Sequence, residues 1–162
     1  MKTISFRIEG KIPTQGSKKP MPIYKGKGKS RRIIACRVVD QHEKEINRLR
    51  ALVRETVAEK YTGEPAPKDS RIAMDVTFYI PRPANHYGTG KNAGTIKLSA
   101  RPWPTVPPDS MKMVRAIEDA LTGILYEDDS QICEHTVEKI YHDGVDYVTD
   151  VTVSIRGRDE LL

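Results

Sequence analysis

The chain has 162 residues, of which 30% are charged, 38% apolar and only 6% aromatic. This length fits one domain with a modest aliphatic core, and the composition excludes the disordered and membrane classes. No apolar run is long enough to span a bilayer, so we expect a cytoplasmic protein. Cys36 and Cys133 lie far apart without metal-ligand spacing, which predicts reduced, structural thiols.

Charge is distributed very unevenly along the chain. Residues 1–37 carry eleven Lys or Arg against the single acid Glu9, whereas residues 116–150 carry ten Asp or Glu against the single cation Lys139. This segregation suits a protein that attracts a polyanion with one region and concentrates carboxylates in another. We therefore expect a nucleic-acid partner together with a metal ion.

The first segment is predicted to be a strand followed by a basic loop. Ile4, Phe6 and Ile8 alternate with polar residues, which predicts a half-buried strand that ends in the turn-rich residues 12–15. Residues 16–32 mix Gly, Pro and Lys without periodicity, which predicts a long mobile loop or an irregular hairpin. One interpretation is a solvated loop. The other is a phosphate-contacting arm with five cations: Lys25, Lys27, Lys29, Arg31 and Arg32.

A helix is predicted from Asp40 to about Tyr61. Asp40 and Glu43 form a capping-box-like pair at its start, and Gly63 is predicted to stop it. The buried stripe of this helix is predicted to contain Ile46, Leu49, Val53 and Val57.

Clean alternation predicts a strand over residues 71–80, closed by Pro81 and Pro83. The connection that follows, residues 82–108, is long for so small a domain, and such loops are usually functional or disordered. Its cations and aromatic rings would permit phosphate contact and base stacking through Lys91, Lys97, Arg101, Tyr87 and Trp103.

A second helix is predicted over residues 110–122, with Gly123 at its end. Its inward face is predicted to carry Val114, Ile117 and Leu121. Two alternating segments, residues 132–141 and 145–155, then predict strands joined by a hairpin at Gly144. The predicted fold is a single α+β domain spanning residues 1–162, with two main helices packed against one mixed sheet.

Acidic residues flank the second helix on both sides. Asp109 precedes it, and Glu127, Asp128 and Asp129 follow it. Two interpretations are open. In the simpler one, Asp109 or Ser110 caps the helix and the acidic run is a polar turn, and spacing alone favours it. In the other, the helix and the reversing chain bring these carboxylates into one pocket.

The stretch PPDSMKMVRAIEDALTGILYEDDSQI resembles the signature of RusA-type Holliday junction resolvases, P-D-x-D-[NK]-L-x-[KR]-x-x-x-D-A-L-x-G followed by D-D-x-Q. The spacing needs no gap. The matching residues are Pro108, Asp109, Lys112, Met113, Arg115, Asp119, Ala120, Leu121, Gly123, Asp128, Asp129 and Gln131. The resemblance extends, more loosely, to the order of strands and the basic early loop.

The resemblance implies a small α+β homodimer that uses Mg²⁺ or Mn²⁺ to cut four-way DNA junctions, in a bacterial or phage-infected cell. By position, Asp109 and Asp129 resemble two of the family's metal-binding carboxylates, and hard oxygen ligands suit Mg²⁺. Arg115 stands where the family places a catalytic or phosphate-contacting lysine. Asp119 and Asp128 are implied to support the site, and Asp119, four residues after Arg115, is expected to orient it.

One position departs from the pattern. Where the family usually has a second aspartate, this chain has Met111, and a thioether cannot replace a carboxylate for Mg²⁺. Glu118 lies seven residues further along nearly the same helix face and is the candidate substitute. The competing interpretation of Glu118 is an exposed residue that pairs with Arg115.

Three classes of function remain open on the sequence: a metal-dependent junction endonuclease, a junction-binding protein of the same fold impaired at Met111, and a structural protein with an acidic turn.

Overall fold

The computed structural model describes residues 1–14, 18–40 and 42–158. Its helices and strands are β1 (Lys2–Glu9), β2 (Lys18–Lys25), β3 (Arg32–Asp40), α1 (Glu43–Ala58), β4 (Arg71–Pro81), α2 (Ser110–Leu121), β5 (Ile132–His142) and β6 (Val148–Arg156). Single 3-10 turns lie at Gly28–Ser30, Ala84–His86, Gly90–Asn92 and Asp129–Gln131.

The strands form two sheets. One has four strands in the order β1-β6-β4-β5, and the other consists of β2 and β3 alone. Strands β4 and β5 are parallel, whereas β6 is antiparallel to both of its neighbours. With two helices on this mixed sheet, the predicted α+β fold is confirmed.

The core lies between the four-stranded sheet and the two helices. The alternating apolar residues of β1 and β4 are buried there, as predicted: Ile4, Phe6, Ile8, Ile72, Met74, Val76 and Phe78. Both predicted helix stripes are also buried: Ile46, Leu49, Val53, Val57, Val114, Ile117 and Leu121. Among the described residues, no helix is long and apolar enough to cross a membrane.

Residues 18–40 form a two-stranded hairpin, here called the hairpin arm. It confirms the hairpin alternative for the early basic segment, although residues 15–17 lie outside the described part of the chain. Asp40 was wrongly predicted to begin a helix: it is the last residue of β3 and pairs with Lys18. The β-branched residues of the segment Arg32–Asp40 favour a strand, and the partner strand satisfies their backbone.

The two prolines of β2 do not interrupt the arm. Pro20 and Pro22 are two residues apart, so their missing N–H groups face the same edge of the strand. Since β2 has one partner strand in the described chain, that edge can be the unpaired one, where proline is tolerated.

Helix α1 is shorter than predicted at both ends. It begins at Glu43, and its N-cap residue His42 makes no side-chain capping bond, so the predicted capping box is wrong. It ends at Ala58 and not at about Tyr61, because the N–H groups of Lys60 and Tyr61 both donate to the carbonyl of Val57 and close the last turn.

The connection around Gly144 was wrongly predicted to be a hairpin between neighbouring strands. Strand β4 lies between β5 and β6 and pairs with both of them. The connection therefore crosses the end of β4. Strand alternation predicts that both strands exist, but it does not encode which strands are neighbours.

Candidate active site

Helix α2 lies along β5, the edge strand of the sheet, and runs in the opposite direction. In its C-terminal half, a carboxylate oxygen of Glu118 lies 2.5 Å from Nε2 of His135 on β5. At its N-terminal end, Nζ of Lys139 donates to the carbonyls of Val106 and Pro108, at 2.9 Å each. These contacts fix both ends of the helix against the strand.

Asp109 occupies the N-cap position of α2. Its Oδ1 accepts a hydrogen bond from the backbone N–H of Met111 at 3.0 Å, and the side chain is exposed. The capping interpretation is therefore confirmed. Capping employs one carboxylate oxygen, and a carboxylate can accept further bonds or a cation through the other.

A cavity of about 660 Å³ adjoins Asp109. Its walls combine apolar groups with charged ones and come from the segment after β1, the start of α1 and the start of α2. The lining residues are Lys11, Ile12, Pro13, Thr14, His42, Glu45, Pro107, Pro108, Asp109 and Lys112. Local sequence patterns did not predict this cavity, because three segments distant in sequence build it.

Glu118 is mostly buried, with 14% of its side chain exposed, and its carboxylate contacts His135. The interpretation of Glu118 as an exposed residue paired with Arg115 is therefore wrong. Arg115 itself is exposed on the same helix, one turn before Glu118. The guanidinium is thus accessible to a phosphate.

Tyr126 is completely buried, and its hydroxyl donates to the backbone carbonyl of Glu118 at 2.9 Å. Burial raises the pKa of Tyr126, and the negative charges of Glu118, Asp129 and Asp119 raise it further. The phenol therefore stays protonated and remains a hydrogen-bond donor. The charges of these three residues therefore all act on one buried hydroxyl.

The acidic turn, residues 127–131, is a capped 3-10 turn. The side chain of Asp128 accepts from the N–H of Ser130 at 3.0 Å, and hydrogen bonding to the side chain and then the backbone of Ser130 lowers the pKa of Asp128. The polar-turn interpretation is thus confirmed for Asp128, which caps the turn through its side chain. Asp129 follows it with an exposed side chain.

Gln131 anchors this turn to the rest of the protein. Its Oε1 accepts from the N–H groups of Glu127 and Asp128, at 2.8 and 2.9 Å. Its Nε2 donates to the carbonyls of Ala66 and Pro67, at 3.2 and 2.8 Å. The motif marked this residue as a match, but only the structure shows that its buried amide fixes the backbone that carries the acids.

Asp119 forms an ion pair with Arg50 of α1, with 3.6 Å between Nη2 of Arg50 and Oδ2 of Asp119. The sequence predicted that Asp119 orients Arg115, and it gave no sign of a pair with Arg50. Since the pair joins α2 to α1, Asp119 helps to hold the helix that carries the site.

The predicted acids are spread along α2 and the turn after it. The charges of Glu118 and Asp129 both raise the pKa of Tyr126, whereas Asp109 precedes Glu118 by nine residues, about 13 Å of helix rise. Among the described residues, no group of three or more His, Cys, Asp or Glu side chains lies close enough to hold a metal ion. Met111, beside Asp109, is 53% exposed.

The predicted DNA-contacting cations lie in two exposed regions. Five of them occupy the tip of the hairpin arm and the ends of its strands: Lys25, Lys27, Lys29, Arg31 and Arg32. The connection after β4 carries the other three: Lys91, Lys97 and Arg101. Nζ of Lys97 also donates to the carbonyl of Asn85. Of the two predicted stacking rings, Trp103 is 60% exposed, whereas Tyr87 is half-buried and donates to Asp143.

The family model described as Endodeoxyribonuclease RusA matches residues 19–155. A Bacillus subtilis (strain 168) protein named Uncharacterized protein YqaN is 33% identical over 70 residues, which cover 43% of this chain. The match spans 49%, about half, of the length of that relative. Because the family model covers most of the chain, including α2 and the acidic turn, this protein belongs to the RusA endodeoxyribonuclease family.

Proposed function

We propose that this protein is a metal-dependent endonuclease that resolves four-way DNA junctions by hydrolysing phosphodiester bonds, in recombination and repair. The observation that supports this most is the family match over residues 19–155, within which α2 and the acidic turn carry the characteristic acids. The exposed basic arm adds a surface suited to a polyanion.

The proposed metal is Mg²⁺ or Mn²⁺, and the proposed ligands are Asp109, Glu118 and Asp129. Their carboxylate oxygens suit these hard cations. Mg²⁺ usually takes only one or two protein carboxylates and completes its coordination with water and substrate phosphate. The proposed pair is Glu118, whose carboxylate contacts His135, and the exposed Asp129. Asp109 lies apart from this pair, on the other side of Arg115 along α2.

Bound metal would supply an activated water and neutralise charge on the phosphate. The chain's own residues then have separate tasks. Arg115 offers an always-charged guanidinium to the scissile phosphate, because it lies exposed between Asp109 and Glu118 on the helix. His135 holds the carboxylate of Glu118, and Tyr126 holds its backbone carbonyl.

We propose that the DNA contacts the tip of the hairpin arm and the basic connection of residues 82–108. Paired cuts across a junction require two active sites related by symmetry, so we propose that a homodimer is the active form.

The test is incubation of the protein with a synthetic four-way junction and Mg²⁺ or Mn²⁺. We expect paired nicks from the parent protein and none from Asp109→Asn or Asp129→Asn, with junction binding retained in both variants. The matched control is Asp75→Asn, which removes an exposed carboxylate from β4. Cleavage by Asp129→Asn at the parent rate would remove the acidic turn from the site.

The second candidate is a junction-binding protein that does not cut. It is favoured by the exposed Met111 at the position of a family aspartate, and by the lack of a three-ligand cluster among residues 1–14, 18–40 and 42–158. Tight junction binding without nicks in either metal would establish this candidate. Recovery of cleavage in Met111→Asp would then show that this position is the cause.

A further inference from the structure

Lys139 is the single cation among residues 116–150, where ten acids are present. Its side chain is half-buried on the helix-facing side of β5, since it pairs in register with the buried Phe78 of β4. Both of its hydrogen bonds go to backbone carbonyls, those of Val106 and Pro108. An ammonium that contacts carbonyls on the segment just before a helix can fix where that helix begins.

The spacing of Lys139 and His135 along β5 matches the spacing of Asp109 and Glu118 along α2. Lys139 and His135 are four residues apart on the strand, about 13 Å. Asp109 and Glu118 are nine residues apart on the helix, also about 13 Å. His135 contacts Glu118 directly, and Lys139 holds the carbonyl of Pro108, the residue before Asp109. The strand therefore holds the helix near both of these acids.

We propose that Lys139 is a positioning residue that sets the place of the Asp109 carboxylate for cleavage. This inference rests on the proposed function, because it assigns Lys139 a role through Asp109. Lys139 fixes the segment before α2 through two backbone carbonyls, and Asp109 is the next residue. Its cation also offsets negative charge in the most acidic part of the chain.

The test compares Lys139→Met and Lys139→Arg in single-turnover cleavage of a four-way junction with Mg²⁺, alongside junction binding without metal. Lys139→Met keeps the side-chain length but removes the donors. We expect its rate to fall about 10–100-fold, as for other losses of groups that orient a site, while binding changes little. Lys139→Arg keeps a charged donor and should recover most of the rate.

A double variant tests whether Lys139 acts through Asp109. Because two residues that act as one unit are not additive, Lys139→Met should lower the residual rate of Asp109→Glu, which keeps a displaced carboxylate, by a smaller factor than it lowers the parent rate. The matched control is Lys60→Met, which removes a similar bond, at 2.9 Å, from Nζ to the carbonyl of Ser5. Its cleavage rate should equal that of the parent.

Two results would overturn the inference and leave the proposed function intact. One is parent-rate cleavage by Lys139→Met while Asp109→Asn is inactive. The other is a parallel loss of binding and cleavage in Lys139→Met, which would indicate a purely structural lysine. If Asp109→Asn itself cleaves at the parent rate, the assignment of Asp109 to the active site fails, and the role of Lys139 fails with it.

Discussion

In the hairpin arm, every side chain from Lys19 to Val38 is exposed, including the apolar Ile23, Ile33 and Ile34. The acidic turn, by contrast, follows two residues with no exposed surface, Leu125 and Tyr126, and closes on the buried Gln131. Both regions are highly charged, but the side chains of residues 19–38 in the arm are all exposed, whereas the acidic turn is anchored in the core.

This difference fits two different tasks. Contact with a polyanion depends mainly on how many cations can reach its phosphates, and it tolerates movement of the side chains. Chemistry at a phosphate requires groups held to within a fraction of an ångström, and small displacements cost large factors in rate. The arm supplies accessible charge, whereas the turn and α2 supply fixed geometry.

The largest expected effect concerns DNA affinity and the arm. Replacing all five tip cations, Lys25, Lys27, Lys29, Arg31 and Arg32, with Gln should weaken junction binding strongly. The slope of log Kobs against log salt should become less steep by up to about 4.5, at about 0.9 per phosphate contact. Binding titrations between 50 and 200 mM salt, about the range over which such contacts weaken, measure this.

The control for the arm variant replaces Lys60 and Lys68, which lie outside the arm, with Gln. Its salt slope should match that of the parent. An unchanged slope in the five-residue variant would remove the arm from the DNA-binding surface. The unfolding free energy of the arm variant should stay within about 0.5 kcal/mol of the parent, because no core contact is lost.

The next largest effect is on the free energy of unfolding, when an apolar side chain is truncated in each of the two regions. Leu125→Ala removes a side chain with no exposed surface and should lower the free energy of unfolding by about 2–5 kcal/mol. Ile34→Ala in the arm, where Ile34 is 53% exposed, should cost less than about 0.5 kcal/mol. Urea denaturation of both variants measures the difference. Equal losses of unfolding free energy would show that Ile34 is buried in solution and that the arm does not stand free of other protein surface.

Gln131→Leu should also lower the free energy of unfolding, by a smaller amount, because it removes the hydrogen bonds that anchor the acidic turn. It leaves two N–H groups and two carbonyls without their partner, at a cost of about 2–4 kcal/mol. Because this amide fixes the backbone of Asp128 and Asp129, cleavage should fall even where the variant is fully folded. Gln131→Glu has the same shape but loses both donors, so it should not restore stability. Parent-like stability in both variants would contradict the anchoring role.

The smallest effect concerns pH and lies outside both regions. Arg7 on β1 donates two hydrogen bonds to Asp150 on β6, at 2.7 and 2.8 Å, and this pairing lowers the pKa of Asp150. A carboxyl with a lowered folded pKa stabilises the protein above its unfolded pKa, about 3.9, and this contribution is lost as the pH falls through the folded value. The stability difference between the parent and Asp150→Asn should therefore be present at neutral pH and vanish in acid. A difference that persists below the folded pKa would contradict this account.

Periodicity in the sequence was sufficient to predict most of the main fold. Alternation identified β1 and β4, and the helical stripes identified the buried faces of α1 and α2, because each depends only on residues a few positions apart. Local sequence signals were misleading at Asp40. Its capping-like pattern suggested a helix start, but pairing with β2 extends strand β3 to this residue. They were also misleading at Gly144, because the insertion of β4 between β5 and β6 leaves no mark in either strand.

The sequence by itself determined which residues are candidates for the chemistry. Asp109, Arg115 and Asp129 stand at fixed offsets in a recognisable motif, and Glu118 is the predicted substitute for its missing aspartate. Only the tertiary structure decided their surroundings. Contacts between distant segments place Glu118 against His135, anchor the acidic turn to Ala66 through Gln131 and bind Lys139 to the start of α2. Such contacts depend on how helix and sheet pack in space, and no local pattern of residues specifies that packing.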